Sequence, residues 1–245
     1  MTKEQFYIIG GKHAVIESIK NSKRYIKTIF ANSEKNYQLI KSINQRNIKI
    51  ELALGTSFNK LFIDKEFVHQ GFAALVSPLE NLDLETFIQS DLENKKRSVF
   101  IILDGIEDDR NIGSIIRSSS ALGADGIIIN KREFRNKSFH MHKTASGAME
   151  YIPIFAVSNV VNAIDILKKN NFWIYAMDGK ANNSIFKEKF SMKVSFVFGS
   201  ESDGMRKIVL NYSDNILFIP MKNKIDSLNV SNAVAATLAI YNSIK

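Results

Sequence analysis

Short apolar segments recur through the second half of the chain, and they constrain its fold more than any other feature of the sequence. The first, Val99–Leu103, contains no polar residue and runs into Asp104 and Gly105, as expected of a strand buried on both faces of a sheet. Similar segments follow at Gly126–Ile129, Ile152–Val157, Phe172–Met177, Val194–Phe198 and Ile216–Ile219. Because helical patterns separate several of them, the sequence predicts an α/β domain with a parallel sheet, whose functional residues should lie at the carboxyl ends of the strands.

The N-terminal part of the chain has a second, smaller α/β pattern. Predicted helices cover Ala14–Asn21 and Tyr37–Gln45, and predicted strands cover Ile26–Ala31, Ile48–Ala53 and Gly71–Val76. Pro78 and an acidic amphipathic stretch follow, and a basic cluster ends at Arg97. We therefore expect two domains, 1–77 and 98–245, joined by a linker at 78–97 that has room for one helix.

Charge and composition limit the kinds of partner, cysteine chemistry and membrane contact that this protein can have. The chain has 33 Lys and Arg residues against 25 Asp and Glu, a formal net charge of +8, which either favours polyanionic partners or simply keeps the protein in solution. The absence of cysteine excludes disulfides, thiolate metal sites and cysteine nucleophiles. The first residues lack a signal core, and no apolar run approaches the ~20 residues that cross a bilayer, so we expect a cytoplasmic protein without membrane contact.

Three motifs follow predicted strands, and the first begins at Asp104. Asn111 is positioned to cap a helix whose apolar side includes Ile112 and Ile115. Arg117 lies on a different side of this helix from the isoleucines. Spacing alone would explain it as a surface arginine.

The second motif, Val197–Met205, carries an apolar strand into a loop with glycines at 199 and 204. Glycines let the backbone approach a ligand closely, although a plain strand-to-helix turn explains the pattern equally well. No Gly-Lys-Ser/Thr sequence follows, so the loop is not a nucleotide P-loop.

The third motif, Phe218–Ala233, crowds Ser227, Asn229 and Ser231 at the start of a C-terminal helix. Helix capping explains one of these short polar side chains. The other two suggest a site.

Taken together, in this order and at these strand ends, the three motifs resemble those of the SpoU/TrmH family in the SPOUT superfamily of methyltransferases. Lys143, Ser146–Ala148 and Glu150 fit the segment between the family's first and second motifs. The N-terminal segments Gly11–Val15 and His69–Val76 resemble the L30e-like substrate-binding domain of the bacterial 23S rRNA guanosine-2'-O-methyltransferases. The resemblance covers nearly the whole chain.

This resemblance implies a SpoU-type domain whose C-terminal segment forms a trefoil knot, which is rare among proteins, and a homodimer with active sites beside the interface. It also implies S-adenosylmethionine as methyl donor, no metal, and an RNA ribose 2'-hydroxyl as acceptor. The implied cofactor contacts are backbone groups of Gly199, Ile219 and Leu228, with Met221 close by. The implied catalytic positions are Arg117, Asn111, Glu201, Ser227 and Asn229.

Arg117 stands at the position of the family's central catalytic residue. A guanidinium is effectively never deprotonated in proteins, which argues against a role as general base. Our hypothesis is that Arg117 stays charged, clamps a neighbouring phosphate and stabilises the developing alkoxide, while the proton leaves to a phosphate oxygen or water. We expect Asn111 and Glu201 to fix its geometry, and Ser227 with Asn229 to shape the knot and touch the substrate.

Three other functions stay open at this point. Two are enzymes, a tRNA ribose methyltransferase and a resistance-type 23S rRNA adenosine 2'-O-methyltransferase, and the matches at Gly11–Val15 and His69–Val76 favour the guanosine enzyme over both. The third is a catalytically silent ribosome-assembly factor that binds RNA. Intact Arg117, Glu201 and Asn229 argue against it.

His140 and His142 have the alternating spacing of metal ligands on a strand. Two imidazoles without a cysteine are too few for a zinc site, so we expect both to face RNA or solvent. His13 follows the family pattern and is a candidate RNA contact.

We predict that Arg117→Ala abolishes methyl transfer and leaves cofactor affinity within a few-fold, because the charge acts on the reacting ribose. Arg117→Lys should also be poor, since a point charge cannot reproduce a bidentate fork. Calorimetric cofactor binding and a single-turnover assay on RNA measure the two quantities. Wild-type rates in either variant would refute the assignment.

Overall fold

The computed structural model describes residues 6–64, 66–222 and 227–244. Its strands, numbered in chain order, are β1 (Tyr7–Gly10), β2 (Ile26–Ala31), β3 (Ile50–Leu52), β4 (Phe72–Val76), β5 (Ser98–Asp104), β6 (Gly126–Asn130), β7 (Ile154–Val157), β8 (Trp173–Met177), β9 (Asn183–Ser184), β10 (Lys193–Gly199) and β11 (Asn215–Phe218). Its helices are α1 (Lys12–Lys20), α2 (Glu34–Ile43), α3 (Thr56–Asn59), α4 (Leu84–Asp91), α5 (Asp109–Ala121), α6 (Phe139–Ala145), α7 (Val160–Lys169), α8 (Lys207–Tyr212) and α9 (Val230–Ser243). None of the helices in these ranges is long and apolar enough to span a membrane.

Two units make up the chain, with boundaries that differ from the expected ones. Unit 1 contains the described residues up to Glu80 together with Arg135–Tyr151, and unit 2 contains Asn81–Phe134 and the described residues from Ile152 onward. Residues 135–151 belong to unit 1 because α6 packs against β1 and α1.

Helix α4 lies within the segment that the sequence assigns to a linker. Asp83 caps it by accepting a hydrogen bond from the Thr86 backbone N at 2.9 Å. Its apolar residues Leu84 and Ile88 lie on one face and are buried in the core of unit 2 beside residues of α7. An apolar face needs a partner surface, so this segment is part of the core of unit 2 rather than a free connector.

Unit 2 is built on a seven-stranded sheet in the order β7-β6-β5-β10-β8-β11-β9, and every pairing between these described strands is parallel. Strand β5 is buried along its whole length. The six apolar segments expected in this part all form strands, with ends that shift by at most two residues. The predicted α/β class with a parallel sheet is confirmed.

Alternate side chains of the central strands face two layers of helices. Phe100 and Ile102 of β5 and Val197 of β10 pack in one core cluster with α4, α7 and α8. On the opposite face, Phe196 of β10 makes an edge contact with Tyr241 of α9, with ring centroids 5.6 Å apart, and α9 packs against α5. Helices therefore cover both faces, and the strand ends remain as the edge at which loops can present polar groups.

Unit 1 contains a mixed sheet in the order β1-β4-β2-β3, antiparallel except between β2 and β3. The helices and strands predicted for this part are all present, β2 with the predicted ends and the others with shifted ends. Strand β1 and helices α3 and α6 were not predicted, because elements of four to seven residues are too short to show a clear period.

His140 and His142 lie on α6, so the strand-like spacing was misleading. His142 is only 2% exposed, and its Nε2 lies 2.9 Å from the Asn136 carbonyl oxygen and 3.2 Å from the Tyr7 hydroxyl. A carbonyl only accepts, so Nε2 carries the proton of the neutral ring. The expectation that His142 faces RNA or solvent is wrong, because its ring completes a buried polar cluster in unit 1.

Acid should destabilise the protein through His142, because burial, helped by the nearby Arg24 cation, lowers its pKa from 6.5 to about 4. Between these values the unfolded chain binds more protons than the folded one, so stability falls as the pH falls. We expect this residue to remove about 2 kcal/mol of unfolding free energy between pH 7 and pH 5.

Urea denaturation at the two pH values measures the effect in the wild type and in His142→Gln, which cannot titrate. His140→Gln is the matched control, since His140 lies on the same helix but is only partly buried, and it should keep the wild-type dependence. A His142→Gln variant as acid-sensitive as the wild type would contradict this account.

Candidate functional site

The loops that carry the three motifs leave the carboxyl ends of β5, β10 and β11. Strands β5 and β10 are neighbours, and their register pairs Asp104 with Gly199, the last residue of each strand. Strand β11 lies beyond β8 in the same sheet. Since parallel strands end at the same edge, all three loops emerge on one side of unit 2.

Helix α5, which follows the first loop, begins earlier than expected. Its N-cap is Asp108, whose Oδ1 accepts hydrogen bonds from the backbone N of Arg110 at 2.7 Å and of Asn111 at 3.2 Å. The prediction that Asn111 caps this helix is therefore wrong, because Asp108 already satisfies the free amide groups. Asn111 lies in the first turn, and its side chain can bond elsewhere.

The second loop folds back on itself directly after β10. Ser200 and Gly204 exchange backbone hydrogen bonds of 3.2 and 3.0 Å. A Cβ atom on Gly199 would stand 2.3 Å from the Gly204 carbonyl carbon and 2.4 Å from the Met205 backbone N. Only glycine fits at 199, because the backbone of the returning loop fills the space of a side chain. The loop presents Glu201 at an exposed position.

Asn229 joins the three loops. It caps α9, and its Oδ1 accepts from the backbone N of Ser231 at 3.0 Å and from the Ser231 hydroxyl at 2.6 Å. Its Nδ2 donates to Asn111 Oδ1 at 3.0 Å and to Glu201 Oε1 at 2.8 Å. The backbone N of Val230 donates to the same Glu201 oxygen at 3.1 Å. One predicted residue from each motif thus meets in a single hydrogen-bonded group.

The donor and the acceptor of each hydrogen bond in this group can be assigned. Two donors from Ser231 occupy the Asn229 oxygen, so the Asn229 NH₂ must face the two acceptors on the other loops. The Glu201 carboxylate lies at the start of α9, where the helix dipole favours a negative charge. Asn111 is bound through its oxygen, which leaves its NH₂ able to donate to an oxygen of a ligand.

Arg117 lies further along α5 with its side chain exposed. Within the described part of the chain, no hydrogen bond or ion pair joins Arg117 to Asn111, Glu201 or Asn229. The expected contacts that would fix its geometry are therefore not present in this structure, where Asn111 and Glu201 bind Asn229 instead. Ser227 is exposed just before α9.

The proposed cofactor positions lie at the same strand ends. Gly199 ends β10, and Ile219 and Met221 follow β11 in half-buried positions. Leu228 lies just before α9 and is 38% exposed. Residues 223–226 of the third motif lie outside the described residues. Among the described residues, no group of three or more His, Asp or Glu side chains could hold a metal ion.

Sequence reasoning missed an ion pair between the first two loops, in which a buried Asp104 binds a half-exposed Arg206. The carboxylate of Asp104 accepts from the Arg206 backbone N at 2.9 Å and from Arg206 Nε at 2.7 Å, and it lies 2.5 Å from Nη2. This bond raises the pKa of Arg206 above its usual value. The available signal was a carboxylate at the end of an otherwise apolar, fully buried strand.

We predict that Gly199→Ala opens the second loop, because its Cβ would overlap backbone that cannot move without breaking the Ser200–Gly204 pairing. The unfolding free energy should fall by about 1–3 kcal/mol. Gly204→Asn is the matched control: position 204 has open space and a φ of +68°, which asparagine adopts readily, so this variant should cost less. Equal denaturation midpoints for the two variants would contradict the clash.

The fold of the chain is found among solved RNA methyltransferases. The SpoU methyltransferase AviRb from Streptomyces viridochromogenes, in complex with AdoMet, superposes with a TM-score of 0.81 at 19% identity, covering 98% of this chain and 91% of that one. An AdoMet-bound rRNA methyltransferase from Sinorhizobium meliloti gives a TM-score of 0.80 at 18% identity, covering 97% and 87%. At these identities the likeness concerns the fold alone.

Sequence similarity is closer. A protein of Staphylococcus aureus named as a TrmH family tRNA/rRNA methyltransferase is 33% identical over 234 residues, which is 96% of this chain and 94% of that protein. One of the same name from Staphylococcus haemolyticus is 35% identical over 236 residues, covering 96% and 93%. The model of RNA 2'-O ribose methyltransferase substrate binding matches residues 8–82, and that of the SpoU rRNA methylase family matches residues 98–239. The chain therefore belongs to the SpoU rRNA methylase family of RNA methyltransferases.

Proposed function

We propose that this protein transfers a methyl group from S-adenosylmethionine to a ribose 2'-hydroxyl of RNA, and that the acceptor is a guanosine of 23S rRNA. The observation that carries the proposal is the meeting of Asn111, Glu201 and Asn229, which come from three separate motif loops. Residues 8–82, which match a substrate-binding model named for RNA 2'-O ribose methyltransferases, support the same acceptor group.

The methyl donor is held at the ends of β10 and β11, by backbone groups of Gly199, Ile219 and Leu228 with Met221 close by. Two features of the residues fit such a ligand. Glycine at position 199 lets the second loop fold back tightly at the end of β10, which places loop backbone at the edge of the sheet, and the exposed apolar Leu228 offers a surface that a ligand would cover. Two solved proteins of the same fold bind AdoMet, which supports the assignment. When bound, this donor supplies an electrophilic methyl group.

The C-terminal segment forms a trefoil knot in this proposal. Strand β11 pairs with β8 on the side away from β10, so the chain leaves β10, passes β8 and pairs with the far side of this earlier strand. A threaded segment would keep the second and third motif loops together without help from the ligand. The protein acts as a homodimer, with its active sites beside the interface.

Arg117 supplies the charge that the reaction needs. A ribose hydroxyl is a weak acid, so its attack requires stabilisation of the negative charge that develops on the oxygen. The exposed guanidinium of Arg117 stays protonated, binds a phosphate next to the acceptor ribose and stabilises the alkoxide, and the proton passes to a phosphate oxygen or water. The hydrogen bond between Asn229 and Asn111 holds the first turn of α5, the helix that carries Arg117. Ser227 contacts the RNA.

A tRNA acceptor is the second candidate, because the staphylococcal relatives are named for tRNA/rRNA methylation. The match of residues 98–239 to a model named for rRNA methylases favours ribosomal RNA. A silent assembly factor would have no chemical need for Arg117, Glu201 and Asn229 together.

The test is methyl transfer from labelled S-adenosylmethionine to 23S rRNA and, separately, to tRNA, both taken from a strain that lacks the gene. We expect label in 23S rRNA, recovered after alkaline hydrolysis as alkali-resistant dinucleotides that contain guanosine, because a methylated 2'-oxygen cannot attack the next phosphodiester. Arg117→Ala is the inactive control. Label in mononucleotides would indicate base methylation, and label in tRNA would support the second candidate. Cofactor binding without transfer to any RNA would refute the proposal.

A further inference from the structure

Three links connect the motif loops of unit 2 into a closed ring. Asn111 and Asn229 link the first loop to the third, and Glu201 and Asn229 link the second to the third. The remaining link, between the first loop and the second, is the ion pair of Asp104 with Arg206. It lies outside the residues proposed to touch cofactor or RNA.

We propose that Asp104 and Arg206 are positioning residues for methyl transfer, which hold the second loop in register with the first so that Glu201 and Asn111 reach Asn229 together. This inference rests on the proposed function, because it assigns the pair a role in the rate of that reaction. It does not place either residue in contact with the reacting atoms.

Both ends of the second loop are attached to the same residue. Gly199, at its start, pairs with Asp104 in the sheet register, and Arg206, at its end, binds the Asp104 carboxylate. The residues between them can therefore move only as a closed loop anchored on the end of β5. The position of Glu201 follows from this anchor and from the close packing of Gly199 against Gly204.

The contact between Asp104 and Arg206 fixes the orientation of the chain at Arg206 as well as its distance from the end of β5. The Asp104 side chain is 0% exposed, so its charge needs a charged, hydrogen-bonded partner. Arg206 supplies its backbone N and its guanidinium to the two oxygens of one carboxylate, which orients the chain where α8 begins. A lysine could supply the charge and the backbone N but not the planar fork.

A second carboxylate increases the need for Arg206. Glu133 Oε2 accepts from the backbone N of Gly105, at 3.3 Å, directly after Asp104. Its pKa is raised by burial and also by the negative charge of Asp104, and Arg206 opposes that effect. Arg206 therefore neutralises a local excess of negative charge at the point where the first two loops leave the sheet.

The experiment compares four variants with the wild-type chain: Arg206→Ala, Arg206→Lys, Asp104→Asn, and the double variant that combines Asp104→Asn with Arg206→Ala. The matched control is Lys168→Ala, which removes another ion pair of unit 2, 2.7 Å between Lys168 Nζ and Asp214 Oδ1, neither of which belongs to a motif. The readouts are the single-turnover rate with saturating RNA, the cofactor Kd by calorimetry, and the folded fraction by circular dichroism.

We expect Arg206→Ala and Asp104→Asn to lose about ten- to a hundredfold in rate, the usual effect of a small misplacement at a reacting centre, with the cofactor Kd within about threefold. Arg206→Lys should recover part of the loss. The double variant should be no slower than the slower single variant, since the two residues act through one bond. Lys168→Ala should stay within about twofold of the wild-type rate.

Rates in Arg206→Ala and Asp104→Asn that match Lys168→Ala would overturn the proposal, as would losses explained by the unfolded fraction. If Asp104→Asn does not fold, the single-turnover rates of Arg206→Ala and Arg206→Lys test the proposal. If the wild-type chain transfers no methyl group, the proposed function fails separately, and amide exchange of Ser200 and Gly204 then tests the anchor. Unchanged protection of these two amides in Arg206→Ala would show that Arg206 does not anchor the second loop.

Discussion

The parallel pairing of β5 with β10 is the constraint on which the rest of the site depends. The register runs from Ser98 opposite Lys193 to Asp104 opposite Gly199, so the two strands end level with each other. Their first and second motif loops must therefore leave the sheet side by side. A shift of one residue in this register would turn the buried side chains of β5 to the other face and separate the loops, which is why the long apolar core of unit 2 also determines the geometry at its edge.

The polar groups at this edge of the sheet are held in place by the directions of their hydrogen bonds as well as by their charges. Asn229 is held at its oxygen by Ser231, and this frees its NH₂ for the acceptors on the other two loops. Asp104 receives backbone and side-chain donors from a single arginine. These contacts favour one arrangement over its alternatives, most strongly at Asp104, because its side chain is buried and an unpaired buried polar atom costs at least about 1–3 kcal/mol. The three motif loops are thus connected to one another by the protein's own side chains.

Sequence patterns predicted the fold well wherever the hydrophobic effect acts on long segments. The six apolar runs of unit 2 became six parallel strands, because a run without polar residues is stable only with cover on both faces. Short elements, the capping residue of a helix and the burial of polar side chains were predicted poorly. Asn111 and Asp108 are both good helix caps, and the choice of Asp108 depends on where the chain leaves β5. His142 looked like a surface residue, and only the packing of α6 against β1 buries it.

The three motifs and their order were sufficient to identify the family and to name Asn111, Glu201 and Asn229 as members of one site. Their spacing along the chain could not say that a single Asn229 amide bonds to both of the others, nor that Asp104 anchors the loop that carries Glu201. Sequence by itself determined the residue types and the strand ends that carry them, since those follow from local hydrophobic pattern. Only the tertiary structure decided which polar groups meet, because hydrogen bonds act over about 3 Å between residues that lie far apart in the chain.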